Sequence, residues 1–292
     1  MRLVLPLLLT VCATVTATAA DDLSGLSDEF AARDGLRQWT LFHEAYGWPD
    51  KIKYLDIGKT TPGVLNLQPQ HSAWVRDLNA PFLFQTVRGD FDVRARVRVR
   101  GAAQDIAGGT WSLGGLMARV PNNSSAASWQ PRRENWHFIT TGVGHIAGKQ
   151  MTETKATFNS YSSLKLRPFP TGWVELRLVR AGMSLVALAR ADGEKEWQLR
   201  DRWYRMENNP DMQVGLIAYT TSNDVAPAPE DPERINRSRE EKAATDMQLE
   251  VDWIRFRRPA IAAMPDWYAQ VSANVLADGD LSAQKILQLI GD

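Results

Sequence analysis

Cysteine is all but absent from this chain, and the one that exists, Cys12, lies in an N-terminal stretch that reads as cleavable. Disulfides, Cys-ligated zinc and cysteine nucleophiles are therefore excluded from the mature protein. Net charge is missing too: 34 Lys and Arg balance 34 Asp and Glu, so no global field draws in nucleic acid or a membrane surface. The apolar run Leu3–Val11 is too short to span a bilayer. It follows Arg2 and leads into Ala17-Thr18-Ala19-Ala20, the layout of a secretory signal cleaved near residue 20. The product is then secreted or periplasmic; a lipoprotein built on Cys12 is disfavoured because Val11 stands where a small residue is wanted. No Gly-x-Ser-x-Gly, Walker or His-Glu-x-x-His sequence occurs, which removes the usual esterase, NTPase and zinc-protease signals. The glycines of Gly142–Gly148 have the wrong spacing for a nucleotide loop and read as hairpin glycines.

What the chain does have is alternation. In Phe91-Asp-Val-Arg-Ala-Arg-Val-Arg-Val-Arg100 one face is apolar and the other charged. Short runs of the same kind recur at 39–45, 64–67, 82–87, 116–120, 136–143, 173–179, 184–189, 214–220 and 249–256, divided by turn signals such as Arg88-Gly89-Asp90 and Asp192-Gly193. This predicts an all-β, antiparallel two-sheet sandwich over residues 21–258. Residues 222–246, rich in Pro and charge with a helix-compatible stretch at Glu233–Ala244, read as a long loop, a lid or simply mobile. After Pro259 the period turns helical, over Trp267–Leu276 and Leu281–Ile290, giving a short C-terminal helical appendage at 259–292. Eleven tryptophans supply either flat binding platforms or a Trp-rich core.

Several segments in order carry a family likeness. Asp28-Glu29-Phe30 with Trp39, Gln85–Val93, Gly115–Arg119, Trp173–Arg177, Asp192-Gly193 with Trp197, Val214–Ala218 and Val251–Phe256 together resemble the concanavalin A-like lectin and glucanase superfamily. Within it they are most similar to a bacterial regulation-of-enolase-like branch. The resemblance covers residues 28–257; it implies a jelly-roll sandwich and contact with sugar, but not a reaction.

Glucanase chemistry is not carried over. Glu250 and Asp252 fall on one strand face, but the third acid of the glucanase pattern is replaced by Ile254 and Arg255. Asp252 near Asp28 is instead read as a strand-end carboxylate that accepts hydrogen bonds or helps hold a structural calcium, the only metal the residues suggest, although no compact Asp/Asn loop supplies six oxygens. His137 and His145, on a straight strand, would stand about 26 Å apart, too far to share a metal unless the chain turns at Gly142 or Gly144. The row Arg94, Arg96, Arg98, Arg100 reads as a wet strand face paired with neighbouring acids, with an acidic polysaccharide as the other reading.

The expected partner is a glycan or glycoside, held on Trp111, Trp129, Trp136 and His145 in a groove of one sheet and the loops at 108–148 and 222–246. A second reading is a glycan lyase or hydrolase with His137 or Tyr219 moving the proton and Arg119 stabilising charge. A third is a structural envelope or interaction protein.

Overall fold

The alternating run at Phe91–Arg100 forms a single strand, and its Phe91, Val93, Ala95, Val97 and Val99 are fully buried between two sheets. The computed structural model describes residues 21–32, 34–204, 210–225, 231–261, 269 and 273–292; the expected signal segment, 1–20, lies outside the described residues. In chain order the strands are β1 Thr40–Leu41, β2 Ile52–Ile57, β3 Leu65–Pro69, β4 Phe82–Arg88, β5 Phe91–Arg100, β6 Ser112–Arg119 and β7 Trp136–Val143. They continue with β8 Gln150–Phe158, β9 Tyr161–Pro168, β10 Val174–Ala181, β11 Ser184–Ala191, β12 Gln198–Tyr204, β13 Asp211–Tyr219 and β14 Gln248–Arg257. The first sheet runs β1-β4-β13-β6-β7-β8-β9 and the second β12-β11-β10-β5-β14-β3-β2, with antiparallel neighbours throughout. The expected all-β sandwich is what forms.

Inner residues of both sheets make one core, with Leu83, Leu116, Ile139 and Val214 from the first meeting Val93, Leu176, Leu249 and Ile254 from the second. The outer face of the first sheet is also apolar. Phe82, Phe84, Leu113, Met117, Trp136, Phe138, Ile217 and Tyr219 lie under a cover of Phe42, Trp48, Trp74, Ala80 and Ala126 from the connections. Part of that cover corrects an expectation: residues 39–45, read as a strand, pair only at Thr40–Leu41 and then wind into the helix α1, Phe42–Tyr46. The helix keeps Phe42 and Tyr46 on one side, rings 4.7 Å apart, and Gly47 ends it in the left-handed conformation at φ 69°.

Among its described residues the long connection at 222–246 contains one short helix, α2, Pro232–Arg237, rather than a helical run to Ala244. It is docked, not free. Lys51 Nζ donates to Ile235 O at 3.1 Å, Asn236 exchanges bonds with Asn79 N and Asp77 O, and Arg237 donates to Ala126 O and stands 5.7 Å from the Trp48 ring. The appendage places helix α3, Ala283–Ile290, against the outer side of the second sheet, where Ile286 and Ile290 meet Val179, Val186, Leu188 and Trp197. Of the helix expected over Trp267–Leu276 most lies outside the described residues, and Val275–Ala277 is a single 3-10 turn. Among the described residues no helix is long and apolar enough to cross a membrane.

Candidate functional site

On the first sheet, neighbouring strands bring Tyr219 of β13, Thr140 of β7 and Glu153 and Lys155 of β8 to the outer face, because Tyr219 pairs with Leu113, Leu113 with Gly142, and Thr140 with Glu153. The four side chains are almost wholly buried. Tyr219 donates its hydroxyl hydrogen to Glu153 Oε2. Lys155 Nζ lies 2.8 Å from Glu153 Oε1, donates to Trp74 O at 3.0 Å, and stands 5.0 Å and 5.6 Å from the Phe138 and Tyr219 ring centroids. Burial first, and then the charge and hydrogen bond of Glu153, raise the Tyr219 pKa well above its ordinary value. The phenol is thereby fixed as a hydrogen-bond donor to the carboxylate.

Lys155 and Tyr219 form the polar wall of a cavity of about 280 Å³, lined on its other sides by Trp74, Trp111, Leu164 and Thr221. That is near the lower end of the ~300–1,000 Å³ typical of small-molecule sites, so it suits one compact ring rather than a row of them. Trp111 reaches the cavity from a backbone at φ 50°, an uncommon conformation for a bulky side chain, pinned by its N–H bonding to Gly144 O at 2.9 Å. Strain of this kind persists where the surroundings over-determine it, often at binding sites. His145, exposed, lies beside it with ring centroids 6.4 Å apart. The structure thus brings together three of the residues singled out from sequence: Trp111, His145 and Tyr219.

The others lie elsewhere. Arg119 starts from the far end of the same face, six residues along β6 from the partner of Tyr219, about 20 Å at 3.3 Å per residue. Its fully buried guanidinium forks onto Glu134 through two 2.7 Å bonds, donates to Gln213 Oε1 at 2.6 Å, and lies over Phe42 and Tyr46. Burial alone would raise the Glu134 pKa, but the charge and hydrogen bonds of Arg119, with help from Asn122, leave it lowered. Trp136 is packed beneath the cover, stacked 5.2 Å from Phe138 and edge-on to Trp74, and Trp129 rests partly buried on the same cluster.

His137 must be separated from Tyr219 and Arg119, with which it was grouped from sequence. Strand alternation turns it to the opposite side from Trp136 and Phe138, where its ring packs 5.0 Å from Trp203. Nor does the chain turn at Gly142: β7 runs through it to Val143, leaving His145 past the opposite end of the strand from His137. Gly142 is there because the backbones crowd; with φ 142°, an added Cβ would stand 2.1 Å from Ser112 O.

No family model and no curated protein matches the chain. Solved structures do. A functionally unknown protein from Saccharomyces cerevisiae aligns at 15% identity over 77% of this chain and 98% of its own, with a TM-score of 0.51. Xylan β-1,4-xylosidase from Bacillus halodurans C-125 aligns at 11% identity over 80% and 39%, with a TM-score of 0.50. The GH43 BlXynB protein from Bacillus licheniformis aligns at 11% identity over 82% and 40%, with a TM-score of 0.51. The chain therefore spans about two-fifths of the length of these two bacterial proteins. At such identities the likeness is one of fold.

The acids and arginines of the second sheet are occupied with one another. Arg98 and Arg100 share Glu250, Arg96 bonds Asp192 and Asp252, and Arg94 bonds Asp92 and Asp292. Asp252 falls in a bulge of β14, between Val251 and Trp253, which breaks its even alternation with Glu250. Asp28 accepts from Phe30 N, Gln38 Nε2 and Trp39 Nε1, so both of its oxygens are engaged by the protein. Among the described residues no three His, Cys, Asp or Glu side chains are grouped to hold a metal ion.

Glu153 and Lys155 did not stand out in the sequence. Their strand, Gln-Met-Thr-Glu-Thr-Lys-Ala-Thr-Phe, has no apolar alternation because its inner side is polar: Gln150 bonds Thr141, Thr152 bonds Arg200 and Thr154 bonds Asp201. The readable signal was a threonine at every second or third position, a β-propensity pattern without hydrophobic contrast.

Proposed function

We propose that this protein is an exported glycan-binding module that seats one sugar unit of a glycan or glycoside in the cavity between Trp74, Trp111 and Tyr219. The observation that carries the reading is the meeting of aromatic walls with Lys155 and Tyr219, both held by the buried Glu153, around one cavity. A pyranose ring offers C–H faces to indoles and hydroxyls to fixed polar groups, and this cavity supplies both. The shared fold with xylosidase-containing chains is compatible with such a role, as is the motif order that resembles the regulation-of-enolase-like branch. Export is the companion reading. Asp21 and Asp22 already bond Arg258, which fits a mature chain that starts there.

Binding is favoured over cleavage because the parts of a reaction are not assembled. Glycosidases place two carboxyl groups roughly 5–9.5 Å apart. Among the described residues no carboxylate lines the cavity; Glu153 lies beside it, bonded to Tyr219 and paired with Lys155, and Glu134, committed to Arg119, stands six residues before Thr140, the cross-strand partner of Glu153, about 20 Å at 3.3 Å per residue. A lyase base must accept a proton, and Tyr219 is held protonated by burial and Glu153. The test is calorimetry against a panel of neutral and acidic oligosaccharides, alongside assays for reducing-end and unsaturated-sugar release. Binding without release, weakened at least tenfold by Trp111→Ala, is the expected result. Release abolished by Tyr219→Phe overturns pure binding, and no binding to any glycan leaves the structural envelope reading in its place.

A further inference from the structure

The charges and hydrogen-bond valences at the cavity floor are already almost balanced, and the small remainder dictates what can enter. An ammonium carries three N–H donors. Lys155 gives one to Trp74 O, and its 2.8 Å ion pair with Glu153 Oε1 is a charge contact rather than a hydrogen bond, so the ammonium keeps N–H donors for an incoming oxygen. Tyr219 spends its single O–H on Glu153 Oε2, so its oxygen can only accept, from the Thr140 hydroxyl beside it or from a ligand. The floor therefore offers ammonium N–H donors beside a phenol oxygen, backed by a cation and an anion that cancel.

A hydroxyl group matches that offer, because it accepts from Lys155 while donating to Tyr219. A carboxylate does not. It can accept from Lys155, but it has no hydrogen for the phenol oxygen, and it must share a single ammonium with Glu153 inside a site where Glu153, Lys155 and Tyr219 are all almost wholly buried. Two anions on one cation in so little water repel more strongly than they would at a surface. The remaining lining residues that could help are Thr221, which is neutral, and the two tryptophans. Arg119 does not compensate, since it is committed to Glu134 at the far end of this face.

From this geometry we infer that the cavity selects neutral sugars against uronic acids, and that Glu153 is the residue that sets the preference by neutralising Lys155. The inference rests on the glycan-binding reading of the same cavity. Glu153→Gln keeps the shape and an acceptor for Tyr219 but leaves Lys155 uncompensated, so the variant should turn toward acids.

The experiment uses matched trisaccharides whose non-reducing residue is glucose or glucuronate, and a second pair with galactose or galacturonate, titrated by calorimetry into the wild-type protein and into Glu153→Gln. In the wild type the neutral member of at least one pair should bind at least tenfold more tightly than its acid. In Glu153→Gln that ratio should fall at least tenfold. An acid that binds the wild type as well as its neutral partner overturns the selection while leaving glycan binding intact. A ratio unchanged in a folded Glu153→Gln removes Glu153 from the role. Should that variant unfold, the wild-type pairs decide the selection by themselves. Failure of every trisaccharide, neutral and acidic, overturns the glycan reading and this inference together.

Discussion

Asp92 offers the sharpest test of how the second sheet is held together. Its carboxylate is fully buried, receives Arg177 through two 2.8 Å bonds and Arg257 through one of 2.7 Å, and lies 3.3 Å from Arg94. Arg177 is equally buried, and without Asp92 it keeps only the carbonyls of Ile290 and Gly291. Asp92→Asn therefore leaves a buried guanidinium with no counter-charge, a change that typically costs about 3–5 kcal/mol. At ~2–4 °C per kcal/mol for a domain of this size, the midpoint should fall by roughly 6–20 °C. The pH dependence adds a second signature. Burial would raise the Asp92 pKa, but the hydrogen bonds and charge of Arg177, then Arg94 and Arg257, leave it lowered. A carboxyl whose folded pKa lies below its unfolded value stabilises fully above the unfolded value, about 3.9. That stability is lost as pH falls through the folded pKa. Urea unfolding followed by tryptophan fluorescence from pH 7 down to pH 3 should show the wild type losing stability on acidification more steeply than Asp92→Asn. A variant within 1 kcal/mol of wild type at pH 7, or with the same acid slope, would refute the reasoning.

Other expectations follow from the same geometry. Arg119→Lys, which cannot fork onto Glu134, should lower stability by about 1–3 kcal/mol, yet leave glycan affinity within twofold in calorimetry. His137→Ala, altered on the side of β7 that faces Trp203, should likewise leave affinity within twofold; a tenfold loss would place the ligand on that side. Lys51 is buried and its pKa is lowered to about 8, burial outweighing the attraction of Glu240. Between about pH 8 and its unfolded value near 10.4 the unfolded chain binds more protons, so stability should rise with pH across that window. The rise should vanish in Lys51→Met, as read by urea midpoints. With Asp28 and Asp252 engaged by Trp39, Gln38 and Arg96, EDTA should shift the melting midpoint by less than a degree.

How far the sequence could be read depended on whether a strand's two faces differ in polarity. β5 alternates cleanly because its inner residues enter the core and its outer arginines meet acids, so both the strand and the pairing of its charges were legible. β8 does not alternate, since Thr152 and Thr154 bond Arg200 and Asp201 of β12 on one side while Glu153 and Lys155 meet Tyr219 and Trp74 on the other. The cavity side of β8 is polar, and here the sheet-to-sheet contact behind it is polar too, which removes the contrast on which periodicity depends. The same logic accounts for His137. A histidine beside a tryptophan suggests a cleft, but adjacent residues in a strand face opposite ways, so Trp136 and His137 could never serve one site. Tyr219 and Trp111 were legible because each stands at a strand end next to a break in the pattern, where loops and sheet meet. Glu153 and Lys155 belong to the interior of a strand whose whole signal was polar, and only the register β13-β6-β7-β8 makes them neighbours of Tyr219. The chemistry of this cavity therefore resides in cross-strand pairing, which a linear reading can locate only after the strands themselves have been found.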